Sequence, residues 1–81
     1  MSKGRKVFSG DQVISLLTRK FGFERISQKG SHVKMRGEAR GRTMITIVPL
    51  HKELAVGTLH GVLELAGIAK KEFLAAARKK R

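Results

Sequence analysis

The chain has 81 residues, the size of one small domain, and 41% of them are hydrophobic, which is enough for a packed core. Its 18 lysines and arginines against 6 acidic residues give a formal net charge of +12, which indicates a polyanionic partner. The sequence has no cysteine, so disulfides, thiolate metal sites and a cysteine nucleophile are excluded. Because no apolar run approaches the length of a membrane span and no signal peptide follows the basic start, we expect a cytoplasmic protein without a membrane partner.

The first predicted element is a helix over Gly10–Phe21. Ser9 and Gln12 have the spacing of a capping box, in which each side chain satisfies a backbone N–H of the other residue. Apolar residues then recur at helical spacing, namely Val13, Ile14, Leu17 and Phe21. Gly22 follows at the position where a left-handed residue ends a helix.

Two strands are predicted next. Phe23–Gln28 reads as a short strand, although the apolar residues Phe23 and Ile26 stand three apart and break strict alternation. The following strand, His32–Arg36, alternates cleanly, so its side chains divide between the two faces of the sheet. One face receives Val33 and Met35, and the other receives His32, Lys34 and Arg36.

A hairpin and a third strand follow. Gly37–Arg42 is predicted to be an exposed hairpin loop, because it contains two glycines and no core residue. Thr43–Val48 is rich in β-branched residues, which favours a strand. Pro49 cannot donate a hydrogen bond to a neighbouring strand, so we expect it to end this strand.

Two helices complete the predicted chain. Thr58 is expected to be the N-cap of the first, after a connector over residues 50–56, and Gly67 is expected to end it. Its apolar stripe consists of Leu59, Val62, Leu63 and Ala66. A short last helix is predicted over about Lys70–Arg78.

These elements predict one α+β domain over residues 1–81, with a core at about 9–77 and basic tails at 1–8 and 78–81. The order is α-β-β-β-α with an added short C-terminal helix. Strands joined by short turns are expected to pair as a three-stranded antiparallel sheet, with the helices on one face and the other face open.

The open face gathers cations around one histidine. His32, Lys34 and Arg36 are expected to point away from the core, with Lys29 in the preceding turn. The Ser31 hydroxyl, or the backbone N–H groups of the turn, would steady a phosphate. The loop residues Arg40 and Arg42 are expected beside this cluster.

Such a cluster would attract a phosphate backbone, and an imidazole can take and give a proton near neutral pH. His32 is therefore a candidate catalytic residue, and the five cations and Ser31 are candidate RNA contacts. An ordinary solvated sheet face shows the same alternation of charged and apolar residues, so the pattern alone leaves both interpretations open.

Other chemistries find less support in the sequence. The three histidines, His32, His51 and His60, lack zinc-ligand spacing, and the acidic residues are scattered. No phosphate-binding loop or dinucleotide fingerprint is present. The predicted basic face carries no aromatic residue on which bases could stack. We therefore expect no metal and no cofactor.

Ordered motifs give the chain a family resemblance. They are Gln28–His32 (QKGSH), Val48–His51 (VPLH) and Gly57–Leu59 (GTL), preceded by Phe21–Phe23 (FGF). With these motifs the chain resembles the HicA (YcfA-like) mRNA interferase toxins over about residues 9–73. The resemblance implies a double-stranded-RNA-binding-domain-like fold and metal-independent cleavage of mRNA. It also implies that His32 is the catalytic histidine of the Gly-Ser-His motif, and that a HicB-type antitoxin covers it.

Two functions of other classes remain open at this point. One is a non-catalytic module that binds double-stranded RNA through phosphates and 2′-hydroxyls, for which His32 would be incidental. The other is a ribosome-associated or interaction protein whose charge has no catalytic meaning. As an interferase toxin, the chain is expected to be a cytoplasmic monomer when it is free of its antitoxin.

Overall fold

A computed structural model describes residues 7–78, and the rest of the two predicted basic tails lies outside the described residues. The elements are α1 (Gly10–Phe21), β1 (Glu24–Lys29), β2 (His32–Ala39), β3 (Arg42–Pro49), α2 (Val56–Ala66) and α3 (Lys70–Arg78). The three strands form one antiparallel sheet in the order β1-β2-β3. The predicted α+β, double-stranded-RNA-binding-domain-like fold is confirmed. Among these residues, no helix is both long enough and apolar enough to cross a bilayer.

Helix α1 has the predicted bounds and both predicted caps. The Ser9 hydroxyl accepts the backbone N–H of Gln12 at 3.0 Å, and the Gln12 side chain accepts the backbone N–H of Ser9 at 2.9 Å. Gly22 has φ +72°, in the left-handed region where a residue without a side chain pays no steric cost. Local signals alone therefore determine where this helix begins and ends.

A β-bulge in β1 explains the broken alternation of its sequence. Arg25 pairs with Met35 and Ser27 pairs with Lys34, so Ile26 is one residue more than β2 can match. The bulge moves Ser27 into register with Lys34. Strand β1 also begins at Glu24 rather than at the predicted Phe23, which is buried just ahead of the strand.

The predicted loop over Gly37–Arg42 was wrong. Strand β2 continues to Ala39, and the hairpin needs only the two residues Arg40 and Gly41. Both have positive φ, 54° and 74°, as in the tight turns favoured between antiparallel strands. Gly37 lies buried within β2, where a Cβ would stand 2.5 Å from Cγ of Phe23. Glycine is therefore needed at position 37 to leave room for the Phe23 ring, and not to make the chain flexible.

The predicted start of α2 was also wrong. The N-cap is Ala55, whose carbonyl accepts the N–H of Leu59 at 3.0 Å, and the helix begins at Val56. Thr58 is exposed within the first turn. The predicted apolar stripe is buried, and this burial outweighs the capping preference of threonine in determining where the helix begins. The stripe consists of Leu59, Val62, Leu63 and Ala66.

The core lies between one face of the sheet and the helices, and it reaches Phe8, which the sequence had placed in the tail. The Phe8 ring meets that of Phe73 edge to face, at 5.2 Å between centroids. A buried hydrogen bond fixes α2 on the sheet, because the hydroxyl of Thr46 in β3 donates to the carbonyl of Val62 at 2.8 Å. Thr46 is fully buried and is the one polar residue in the described core.

Replacing Thr46 with valine is expected to lower the free energy of unfolding by about 1 kcal/mol, because the near-isosteric side chain removes the hydrogen bond to α2 without leaving a large cavity. Chemical denaturation followed by circular dichroism measures the change. Thr43→Val, at an exposed β3 position, is the matched control and should stay within about 0.5 kcal/mol of the parent. Equal losses in both variants would show that the Thr46 hydrogen bond contributes no net stability.

Candidate functional site

The sheet face away from the helices is open to solvent, as the alternation of β2 predicts. Along β2, the side chains of Val33 and Met35 are buried against the core, whereas His32, Lys34 and Arg36 are exposed. In β3, the exposed residues in register with Lys34 and Arg36 are Ile47 and Ile45. The open face is thus a central row of basic side chains bordered on one side by apolar ones.

A shallow depression of about 380 Å³ surrounds His32 on this face. Its lining residues are Ser27, Lys29, His32, Lys34 and Ile47, and we call it the histidine depression. Lys29 was predicted to lie in the turn, but it is the last residue of β1 and the direct cross-strand partner of His32, so their Cβ atoms lie about 5 Å apart. Lys34 follows on the same face of β2, about 7 Å along the strand. Two ammonium groups are therefore within side-chain reach of one imidazole.

Hydrogen bonds to its backbone carbonyls hold the turn that presents His32. The turn consists of Gly30, with φ +58°, and Ser31. The Gln28 side chain donates to the Gly30 carbonyl at 2.9 Å, and the Ser31 carbonyl accepts the N–H of Leu50 at 2.7 Å. The start of β2 is thereby fixed to the segment that leaves β3, so His32 enters the strand from a preorganised turn.

The N-terminus of α1 supports the same segment from behind. The Gly10 N–H donates to the carbonyl of His51 at 2.9 Å, and Gly10 packs directly on the Pro49 carbonyl. Pro49 is itself the cross-strand partner of His32. The histidine therefore sits on a base built from β3, its following connector and the first residue of α1.

The structure brings together some of the predicted site residues. Lys29, Lys34 and Arg36 lie on or beside the row that starts at His32, and Ser31 is exposed in the adjoining turn. These positions agree with the expected cationic cluster. Their roles toward RNA remain a proposal.

Arg40 and Arg42 do not lie beside His32, which corrects the sequence-based expectation. Arg40 lies in the hairpin turn at the far end of β2 and Arg42 begins β3, roughly 25 Å from His32 at about 3.3 Å per residue. The Nε of Arg40 donates to the carbonyl of Gly67 at 3.3 Å, which ties it to the end of α2. The expectation failed because the segment before Arg40 continues β2 instead of folding back as a loop.

Sequence reasoning missed Ser27 and Ile47 as members of the histidine depression. Ser27 reaches the open face because of the bulge at Ile26, which the irregular spacing of Phe23 and Ile26 signals only weakly. Ile47 lies in Thr43–Val48, which the sequence identified as a strand rich in β-branched residues without assigning its two faces. The alternation of Thr46 and Val48 with it was the available signal.

The other histidines lie apart from this depression. His51 is exposed in the connector after β3, and His60 is exposed on α2, beside a separate hollow that includes Lys70. Within residues 7–78, no three histidine, aspartate or glutamate side chains are grouped so that they could hold a metal ion.

Comparison with known protein families matches the chain to the family described as "HicA toxin of bacterial toxin-antitoxin", over residues 10–68. The match contains α1, the whole sheet and α2, and it exceeds half of the chain. This chain belongs to the HicA toxin family. It is thus the toxin of a bacterial toxin–antitoxin system, in which an antitoxin is its partner. Searches of curated proteins and of solved structures returned no match.

The region that matches the HicA family includes the whole histidine depression. It also includes the hydrogen-bonded turn and the connector that support His32. The part of the molecule that presents this histidine is therefore part of the family's fold rather than an addition to it.

Proposed function

We propose that this HicA-family chain is a metal-independent endoribonuclease that cleaves mRNA in the cytoplasm, with His32 as its catalytic residue. The observation that carries the proposal is the position of His32 on the open face, in a depression flanked by Lys29 and Lys34. An exposed imidazole beside two cations supplies a proton-transfer group and a phosphate-binding environment within the space of one nucleotide.

The chemistry that fits this arrangement is transesterification within the RNA strand. The 2′-oxygen attacks the adjacent phosphorus, the bond from phosphorus to the 5′-oxygen breaks, and the products are a 2′,3′-cyclic phosphate and a 5′-hydroxyl. The net proton transfer is from the 2′-oxygen to the 5′-oxygen, and His32 accepts or donates that proton. A lysine of the depression or water serves at the other oxygen.

The cations of the site stabilise charge and hold the RNA backbone. Lys29 and Lys34 line the histidine depression and would stabilise the charge that develops on the oxygens of the reacting phosphorus. Ser31 would bind a neighbouring phosphate, and Arg36 would contact the RNA further along the row of β2. Arg40 and Arg42 would contact only an RNA long enough to reach the hairpin.

Salt dependence of RNA binding should reveal these contacts. In a His32→Ala background, which keeps the RNA intact, Lys34→Ala is expected to weaken binding to single-stranded RNA. It should also make the fall of log affinity with log salt less steep, by about 0.7 in the magnitude of the slope. Lys71→Ala, an equal change of charge on α3, is the control and should leave both values nearly unchanged. Identical slopes for parent and Lys34→Ala would remove Lys34 from the RNA interface.

The antitoxin partner is proposed to be of the HicB type and to cover the His32 face. Ile45 and Ile47 are 41% and 37% exposed beside the basic row, so an apolar surface with acidic residues would complement this face. Without such a partner the chain is proposed to be monomeric.

The function is tested by incubating the purified chain in EDTA with matched single-stranded and double-stranded RNAs. Cleavage of the single strand to fragments that end in a 2′,3′-cyclic phosphate is the expected result. The same strand with 2′-deoxy nucleotides should resist cleavage, because it lacks the attacking oxygen. Intact RNA together with preferential binding of the duplex would instead identify a non-catalytic double-stranded-RNA-binding module.

A further inference from the structure

A second polar hollow, of about 360 Å³, lies near the hairpin end of the sheet. Its walls include the side chains of Phe21, Glu24, Arg36, Glu38 and Thr43, and we call it the polar notch. Arg36 lies on the same face of β2 as His32, about 13 Å along the strand. A single strand of RNA bound at the histidine depression can therefore reach the notch with a nearby nucleotide.

The notch exists because β1 is shorter than its neighbour. Pairing of β1 with β2 stops at Glu24 and Arg36, whereas β2 continues to pair with β3 as far as Ala39 and Arg42. Beyond Arg36, the β1 side of β2 therefore has no neighbouring strand. The backbone of Gly37 borders this open edge, and the Phe23 ring packs against its inner side.

The charges in the notch are unusual for a surface that contacts a polyanion. The chain has 6 acidic residues in all, and Glu24 and Glu38 both line this notch. Carboxylates repel phosphates, so they oppose RNA binding unless they accept hydrogen bonds from bases. Arg36 is the direct cross-strand partner of Glu24, and Glu38 follows it on the same face of β2, so one guanidinium stands between two acceptors.

We propose that the polar notch binds a guanine base of single-stranded RNA, an inference that rests on the RNA-binding part of the proposed function. Guanine alone among the four bases presents two adjacent donors, N1–H and the N2 amino group, and two adjacent acceptors, O6 and N7. A carboxylate of Glu24 or Glu38 accepts from the two donors, and the guanidinium of Arg36 donates to the two acceptors. The half-buried Phe21 ring supplies an apolar wall for the base.

The test measures binding by fluorescence anisotropy, with His32→Ala protein so that the RNA stays intact. The probes are five labelled oligouridylates that differ only at the central position, which is guanosine, adenosine, cytidine, uridine or inosine. Guanosine is expected to bind about tenfold more tightly than the other three standard nucleosides. Inosine, which lacks the N2 amino group, should lose most of this advantage.

The same measurement on variants assigns the preference to the notch. Glu24→Gln and Glu38→Gln change the carboxylates, and Glu64→Gln on α2 is a control with the same change of charge. We expect at least one notch variant to reduce the ratio of guanosine to adenosine affinity several-fold, and the control to retain it. Equal affinity for all five probes, or a ratio that survives in both notch variants, would overturn the inference.

The cleavage assay separates this inference from the proposed function. Guanosine preference in a chain that does not cleave RNA would leave the notch as a base-binding site and reject the nuclease. Cleavage by the parent without guanosine preference in binding would support the nuclease and reject the notch as a guanine-binding site. Absence of binding to every probe would reject the notch as an RNA site.

Discussion

Replacing His32 with alanine is expected to reduce metal-free RNA cleavage at least about a hundredfold, because proton transfer by a positioned side chain contributes that much or more. RNA affinity should fall by much less, since Lys29 and Lys34 remain in the histidine depression. The measurement compares cleavage rates and RNA binding of parent and variant in EDTA. Loss of rate with retention of binding identifies His32 as a catalytic residue rather than as a charge that holds RNA.

The matched control is His60→Ala, which removes an imidazole from α2 on the helix side of the molecule. It should cleave at the parent rate. Unchanged cleavage by His32→Ala would refute the assignment of catalysis to this residue. Equal losses in both histidine variants would indicate a defect in folding, and thermal denaturation of each variant would reveal it.

Gly10→Ala is expected to cause the largest loss of stability, about 3 kcal/mol, or a fall in melting temperature of roughly 15 °C. A Cβ at this position would overlap the Pro49 carbonyl oxygen and stand 2.9 Å from Cα of Leu50. These are backbone atoms, so no side chain can rotate away to make room. Relief of the overlap would also move the N–H of Gly10 away from the carbonyl of His51.

Gly61→Ala provides the contrasting substitution within α2. A Cβ there meets nothing within 4 Å, and alanine is the better helix former, so stability should rise by about 0.5–1 kcal/mol. Thermal and chemical denaturation of both variants would show whether Gly10→Ala lowers the stability of the fold and Gly61→Ala raises it. A loss at Gly10 no larger than 0.5 kcal/mol would show that α1 shifts freely on the connector, and that it does not brace the His32 region.

The elements that sequence predicted well are those determined by adjacent residues. Helix α1 depends on its own caps, Ser9 and Gly22, and its bounds were predicted correctly. The position of His32 on the open face followed from period-two alternation in β2, because a one-residue slip would have buried charged side chains. The family motifs and this alternation pointed independently to the same histidine.

The elements that sequence missed depend on contacts between distant residues. Gly37 resembles a loop residue until Phe23 is seen to pack on it, and that contact carries β2 past the predicted turn and moves Arg40 away from His32. Ser27 joins the histidine depression only through a bulge. The polar notch arises from the unequal lengths of two strands, which no local pattern specifies.

The bulge at Ile26 has a consequence for how copies of this protein meet one another. Strand β1 is an edge strand with all its residues exposed, and an unbroken edge of this kind offers a template for another strand. The extra residue twists that edge and interrupts its run of hydrogen-bonding groups, and Arg25 and Lys29 add like charge on either side. The chain can therefore keep a broad sheet face exposed while discouraging edge-to-edge aggregation.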